Sequence, residues 1–157
     1  MDLKIEYVNI GDIKEYENNA RHHEDEDVEA IAASIEEFGF NDAIGVWGPE
    51  MLIVEGHGRY RAALRLGLTM VPVIRLDHLS DEERRAYALA HNKTAELSGW
   101  DFMKVDEELD KLTSIDMSLF GFDDLSHDID KLFDEHEEKQ KEPKMIRCPD
   151  CGEWFEV

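Results

Sequence analysis

The segment Val54-Glu55-Gly56-His57-Gly58-Arg59-Tyr60-Arg61-Ala62-Ala63 constrains this chain more than any other. An apolar strand runs into a glycine turn, and the turn opens a helix. Glycines at such a joint let backbone N–H groups approach a ligand without obstruction by Cβ. The unsatisfied N–H groups of the first helical turn, and the positive end of the helix dipole, favour phosphate oxygens. Arg59 and Arg61 can add charge-assisted hydrogen bonds. His57 can donate one more, or move a proton near neutral pH. A tight turn carrying two solvated arginines accounts for the same residues, and the turn by itself leaves the two readings level.

The surrounding pattern supplies the context. Residues 3–10 alternate, with Leu3, Ile5 and Tyr7 on one face of a strand, and 11–24 reads as a loop. Val28, Ile31, Ile35 and Phe38 recur at helical steps after the acidic residues 24–27, and Gly39 suits the C-terminal cap. AIGVW (43–47) and MLIVE (51–55) form a hairpin around Gly48-Pro49-Glu50. The helix of the glycine turn is expected from Arg59 to Leu66, stopped by Gly67. Val71–Leu76 is a strand whose Pro72 places it at an edge, or else marks where its pairing begins. Ser80 and Glu83 make a capping box for a helix from 81 to about 97. Shorter helices are expected near 104–113 and 124–136, before the polar tract 135–144. The fold class is therefore mixed α+β: a small sheet with flanking helices and a C-terminal helical extension.

Charge narrows the function. The chain of 157 residues has 38 acidic and 17 basic side chains, a net charge of −21. That repels nucleic acid and anionic membranes at long range. Residues 1–39 carry 12 acids and 3 bases, and 101–142 carry 15 and 5, whereas 40–100 carry 8 and 7. An anion site belongs in that near-neutral centre. There is no run of 18 apolar residues, and the opening MDLKIEYVNI is charged, so a cytosolic protein without a membrane partner is expected.

The ordered set NNARHH (18–23), SIEEFGF (34–40), GHGRYRAA (56–63), VPVIRL (71–76) and AHNKTAEL (90–97) resembles the N-terminal domain of ParB-family proteins, across residues 3–100. The GHGR form of the turn and the stretch NKTAELSGWD (92–101) resemble the phage and mobile-element branch, often found beside DNA-modification methylases. The resemblance implies a ParB/sulfiredoxin-like fold over 1–100 that binds a nucleoside triphosphate, CTP or ATP, with magnesium. It implies slow hydrolysis or phosphoryl transfer at most, and a DNA methyltransferase or another DNA-acting protein as partner. It also implies phosphates on Gly56, His57, Gly58, Arg59 and Arg61, with Asn92 on the phosphate and magnesium side and Arg21 near the nucleotide. Partitioning ParB proteins read Gly-Glu-Arg-Arg where this chain has Gly56-His57-Gly58-Arg59, so fewer charges meet the phosphates. Sulfiredoxins carry their catalytic cysteine where His57 stands, so sulfinic-acid reduction is not expected.

Several residues keep two readings. Glu55 is a candidate general base or an ion-pair partner of a nearby arginine, and Lys93 a phosphate ligand or a solvated lysine. His22 and His23 read as a polar loop more readily than as pocket-mouth or metal residues. Trp47 and Trp100 read as core or cap aromatics. Cys148-Pro149-Asp150-Cys151-Gly152 has the spacing of half a zinc knuckle within a tail over 147–157, behind an acidic extension at 101–136 and a linker at 137–146. His127, His136 or a second copy of the chain could complete the zinc set; a redox dithiol or an unliganded tail are the rivals. No helix-turn-helix is evident after residue 100, so sequence-specific DNA binding is not expected. Two other functions stand beside nucleotide binding: an acidic adaptor with a vestigial site, and a ParB-like nuclease.

Overall fold

The computed structural model describes residues 3–122 and two short strands near the C-terminus, 145–147 and 154–156. In chain order the first unit runs β1 (Ile5–Asn9), a 3-10 turn (Ile10–Asp12), α1 (Asp25–Phe38), β2 (Ile44–Trp47), β3 (Leu52–Glu55) and α2 (His57–Arg65). It continues with β4 (Met70–Arg75), α3 (Asp81–Glu96), α4 (Phe102–Leu109) and a second 3-10 turn (Met117–Phe120). The four strands form one mixed sheet in the order β1-β4-β2-β3, with β4 antiparallel to β1 and parallel to β2. The fold is mixed α+β, as expected.

Ile44, Val46, Ile53, Val71 and Val73 are fully buried, and Ile10, Ile13 and Ala63 complete the core they form. Each such aliphatic side chain stabilises the fold by about 1.5–3 kcal/mol through burial. Ile13 lies in the stretch read as loop. Lys14 bridges to Leu52 there, its N–H bonding Met51 O (3.2 Å) and its C=O accepting from Ile53 N–H (2.8 Å), so the chain is tied to β3 before it turns away. Val28 and Ala32 of α1 bury against Ala62 of α2, which sets these two helices side by side.

Pro72 lies in the interior of the sheet, because β4 has β1 on one side and β2 on the other. The edge reading is therefore corrected, and the reason is register. Tyr7 faces Pro72 at a position where β1 and β4 exchange no hydrogen bonds, so the missing N–H would point toward β2. Pairing with β2 begins only at Val73, which leaves no ladder bond for the proline to lose.

The caps follow the sequence closely. Ser80 accepts from Glu83 N–H (3.3 Å), and the Glu83 carboxylate accepts from Ser80 N–H (2.8 Å). Arg84 of α3 is buried with its guanidinium 4.8 Å from the Tyr16 ring centre and 4.9 Å from that of Trp47, and it pairs with Asp81 at 2.6 Å. Trp47 also donates from its indole N–H to Leu79 O (2.8 Å). This sandwich joins α3 to β2 and to the 14–16 segment. Phe120 packs on Phe38 of α1 (ring centres 5.3 Å apart), and Phe122 meets Trp100 edge-on. No described helix is long and apolar enough to cross a membrane.

In the second unit, β5 (Met145–Arg147) and β6 (Trp154–Glu156) pair antiparallel. The expected helix at 124–136, His127, His136 and the Cys148/Cys151 pair lie outside the described residues.

Candidate phosphate-binding cleft

Helix α2 starts at His57, two residues before its expected start, so Gly58 belongs to the first helical turn. The reversal itself is made by one residue. Gly56 takes a left-handed conformation (φ 93°), which L side chains rarely adopt. Being glycine, it offers no side chain to cap the helix. The first helical bond runs from Tyr60 N–H to Gly56 O (2.9 Å), so the N–H groups of His57, Gly58 and Arg59 have no partner within the helix. Gly58 is required for a different reason. A Cβ there would stand 2.8 Å from Ile31 Cδ1 and 3.1 Å from His23 Cε1, because α1 and the 18–24 loop close over the turn.

A cleft of about 150 Å³ opens at this turn, lined by Asn19, Arg21, His23, Ile31, Glu55, Gly56, His57, Gly58, Arg59, His91 and Asn92. Six of the eight residues expected at a nucleotide meet there: Arg21, Gly56, His57, Gly58, Arg59 and Asn92. Arg21 Nη1 donates to Asn92 Oδ1 (3.3 Å), which joins the 18–24 loop to α3 across the cleft, and Asn92 Nδ2 is held by Ala88 O (2.9 Å). Asn19 buttresses the loop by donating to Arg21 O (2.9 Å).

Arg59 folds back over Gly56 and pairs with Glu55 and Asp42. Its Nε is buried with no hydrogen-bond partner among the described residues. Glu55, at the end of β3, is 7% exposed and rests on Gly45, where a Cβ would come within 2.8 Å of its Cγ. Burial pushes the Glu55 carboxyl up to about 7, and a hydrogen bond from Gly45 N–H offsets only part of that. The touching guanidinium favours the ionised form, so Glu55 is a carboxylate while Arg59 stays on it. His91 Nε2 stands 3.6 Å from the same carboxyl.

Three of the expected residues are placed differently from the rest. Arg61 does not line the cleft; its Nε and Nη2 bond Glu15 (3.0 and 2.9 Å). Lys93 pairs with Glu96 (2.9 Å) and lines a neighbouring depression of about 530 Å³, together with Ala20, Arg21, His22, Leu89, Asn92 and Glu96. His57 is not placed to move protons near neutral pH. Burial pulls it down to about 4, and its Nε2 accepts from Tyr16 N–H (3.4 Å), so it is a neutral acceptor. His23, weighed in the sequence as loop or pocket-mouth residue, and His91, beside Asn92, line the cleft as well. The polar-loop reading of His23 gives way because Gly58 leaves room for its ring; burial and the Arg21 charge hold its pKa down. No periodicity marked either histidine, because each reaches the cleft through tertiary packing.

The described residues hold no group of three or more His, Cys, Asp or Glu side chains able to bind a metal ion. Among the side chains lining the cleft, the oxygens suited to magnesium are the amide oxygens of Asn19 and Asn92 and the Glu55 carboxyl. That donor set fits an ion carried largely by phosphate oxygens and water, not a cage built by the protein.

Comparison with known proteins agrees with this architecture. The protein YnaK of Escherichia coli K12, described as ParB-like nuclease domain-containing, is 37% identical over 83 residues, covering 53% of this chain and 94% of its own length. Chromosome-partitioning ParB from Caulobacter crescentus, C-terminally truncated and complexed with CTP-gamma-S, superposes with a TM-score of 0.52 at 29% identity. That match covers 57% of this chain and 52% of that one, so the chain spans about half the length of that ParB. Arabidopsis thaliana sulfiredoxin superposes with a TM-score of 0.45 at 20% identity, over 55% of this chain and 97% of its own. Residues 2–93 match the ParB N-terminal domain. That is more than half of the sequence, and the chain belongs to the ParB N-terminal domain family.

Proposed function

We propose that this protein binds a nucleoside triphosphate, with the phosphates seated on the N–H groups of His57, Gly58 and Arg59. The observation that carries the reading is the left-handed, side-chain-free Gly56, which opens α2 toward a cleft edged by Arg21, Arg59 and Asn92. The CTP-gamma-S bound to the Caulobacter relative supports it. A triphosphate is larger than the cleft itself. Its base and ribose extend into the adjoining depression, which shares Arg21 and Asn92 with the cleft.

Arg59 is the moving part. Without ligand it is held by two carboxylates over Gly56. A phosphate offers a guanidinium the same fork of acceptor oxygens as a carboxylate, with more charge. Arg59 turns to the phosphate, and Glu55 is left as a buried carboxyl that favours a proton. Nucleotide-borne magnesium would neutralise phosphate charge next to Asn92. Glu55 is the single carboxyl among the residues lining the cleft, and once Arg59 has left it burial favours its protonated form, so turnover is slow hydrolysis at most. The protein works as a binding module in DNA maintenance or modification, presenting its acidic flanks to a basic DNA-acting partner such as a methyltransferase.

The test is a panel of CTP, ATP and GTP with magnesium, read by thermal unfolding. One nucleotide raises the melting temperature, and at a hundredfold excess over Kd adds about 2.7 kcal/mol. Arg59→Ala removes most of that shift. An unmoved melting temperature with all three nucleotides contradicts the proposal and leaves an adaptor as the better account.

A further inference from the structure

Strand β1 is an edge strand, and nothing among the described residues pairs with its outer side. Its backbone direction follows from register. Ile10 N–H bonds Thr69 O (3.0 Å), and the same pairing continues through Val8↔Val71 and Glu6↔Val73. Bonding alternates along an antiparallel pair, so the even-numbered residues face β4. Ile5 and Tyr7 therefore aim their N–H and C=O groups at the open edge, and Leu3, just before the strand, continues the same alternation in sequence. The side chains of these three are 58%, 66% and 67% exposed, and Lys4 and Glu6 are exposed on the opposite face. The strand is thus bare on its edge, and residues 3–7 are exposed on both faces, while Val8 further along packs against the core. The strand carries no proline or bulge of the kind that blunts an edge.

The sequence Leu3-Lys4-Ile5-Glu6-Tyr7 is complementary to itself when reversed. We propose that two copies of this chain pair their β1 strands antiparallel, centred on Ile5, into one continuous sheet. In that register Ile5 meets the partner's Ile5, Leu3 meets the partner's Tyr7, and Lys4 meets the partner's Glu6. Every residue whose backbone faces the open edge then exchanges hydrogen bonds with its opposite number. On one face the apolar side chains form a strip across the join, and on the other each charge finds its opposite. Shifting the centre by one residue puts Lys4 opposite Lys4 or Glu6 opposite Glu6, and like charges directly opposite repel. Charge therefore selects the register as well as the partner.

A strand-to-strand contact of this size is a small interface, and two chains of charge −21 repel each other. The association is weak, and it is measured at about 100 µM protein and about 0.15 M salt, where the Debye length is about 8 Å. Sedimentation of the full chain shows a dimer for wild type. Lys4→Glu and Glu6→Lys, both at solvated positions that leave the fold intact by circular dichroism, shift it to monomer. The combined Lys4→Glu/Glu6→Lys chain is a dimer again, because the swapped charges face each other in the same register. A monomeric wild type overturns the proposal. So does a dimer indifferent to all three variants, which would pair through another surface, and so does failure of the double swap to restore it.

Discussion

His57 and Arg59 are two residues apart, and the helix sends them in different directions. Side chains at i and i+2 do not share a helix face, whereas those at i and i+4 do. His57 and Arg61 accordingly both meet the 14–16 segment, at Tyr16 and Glu15, while Arg59 turns to Glu55 and Asp42. The buried neutral ring of His57 has a consequence for stability. Its folded pKa of about 4 lies below the ordinary 6.5, so the unfolded chain binds more protons in that window. Stability from this group is whole above pH 6.5 and is lost as pH falls toward 4. Urea unfolding of wild type and His57→Gln at pH 7 and pH 5 checks it. Wild type loses more free energy of unfolding than the variant between the two; equal losses contradict a buried neutral ring.

At the scale of elements, α3 carries Asn92 and His91 to the cleft, and its position depends on Arg84. That guanidinium is desolvated between Tyr16 and Trp47 and tied to Asp81. Cation–π contacts of this kind contribute about 2 kcal/mol or more when desolvated, and lysine cannot reproduce a planar group stacked on two rings. Arg84→Lys is expected to destabilise the protein by about 1–3 kcal/mol in urea unfolding; a change within about 0.5 kcal/mol, typical of surface substitutions, contradicts the clamp. Much at this scale was legible in the sequence. The capping box at Ser80 and Glu83, the hairpin around Gly48 and the periodicity of Val28, Ile31 and Ile35 are local signals, and the elements follow them. The central place of β4 was not legible, because Pro72 is tolerated through the register of two neighbouring strands. The start of α2 was misplaced because both glycines of the turn look alike in sequence, yet only Gly56 has positive φ.

Over the whole molecule, charge and fold agree. In a chain of net charge −21, two arginines, Arg21 and Arg59, line a cleft at a turn that supplies uncapped N–H groups. Part of the cleft was legible in the sequence: Gly56, Gly58 and Arg59 carry their chemistry in their type and order, whereas Arg21 and Asn92 were implied only by the resemblance to the ParB N-terminal domain. The diversion of Arg61 to Glu15, forty-six residues away in sequence, was not legible. Nor was the capture of Arg59 by Asp42, because both depend on tertiary neighbours. The central claim is that the first turn of α2 is a polyphosphate seat. An amide-resolved NMR titration of the full chain with CTP and with ATP, in the presence of magnesium, tests it most directly. The N–H signals of His57, Gly58 and Arg59 are expected to move furthest and downfield, as donors to phosphate oxygens do. Perturbations centred elsewhere, or none with either nucleotide, would contradict the account.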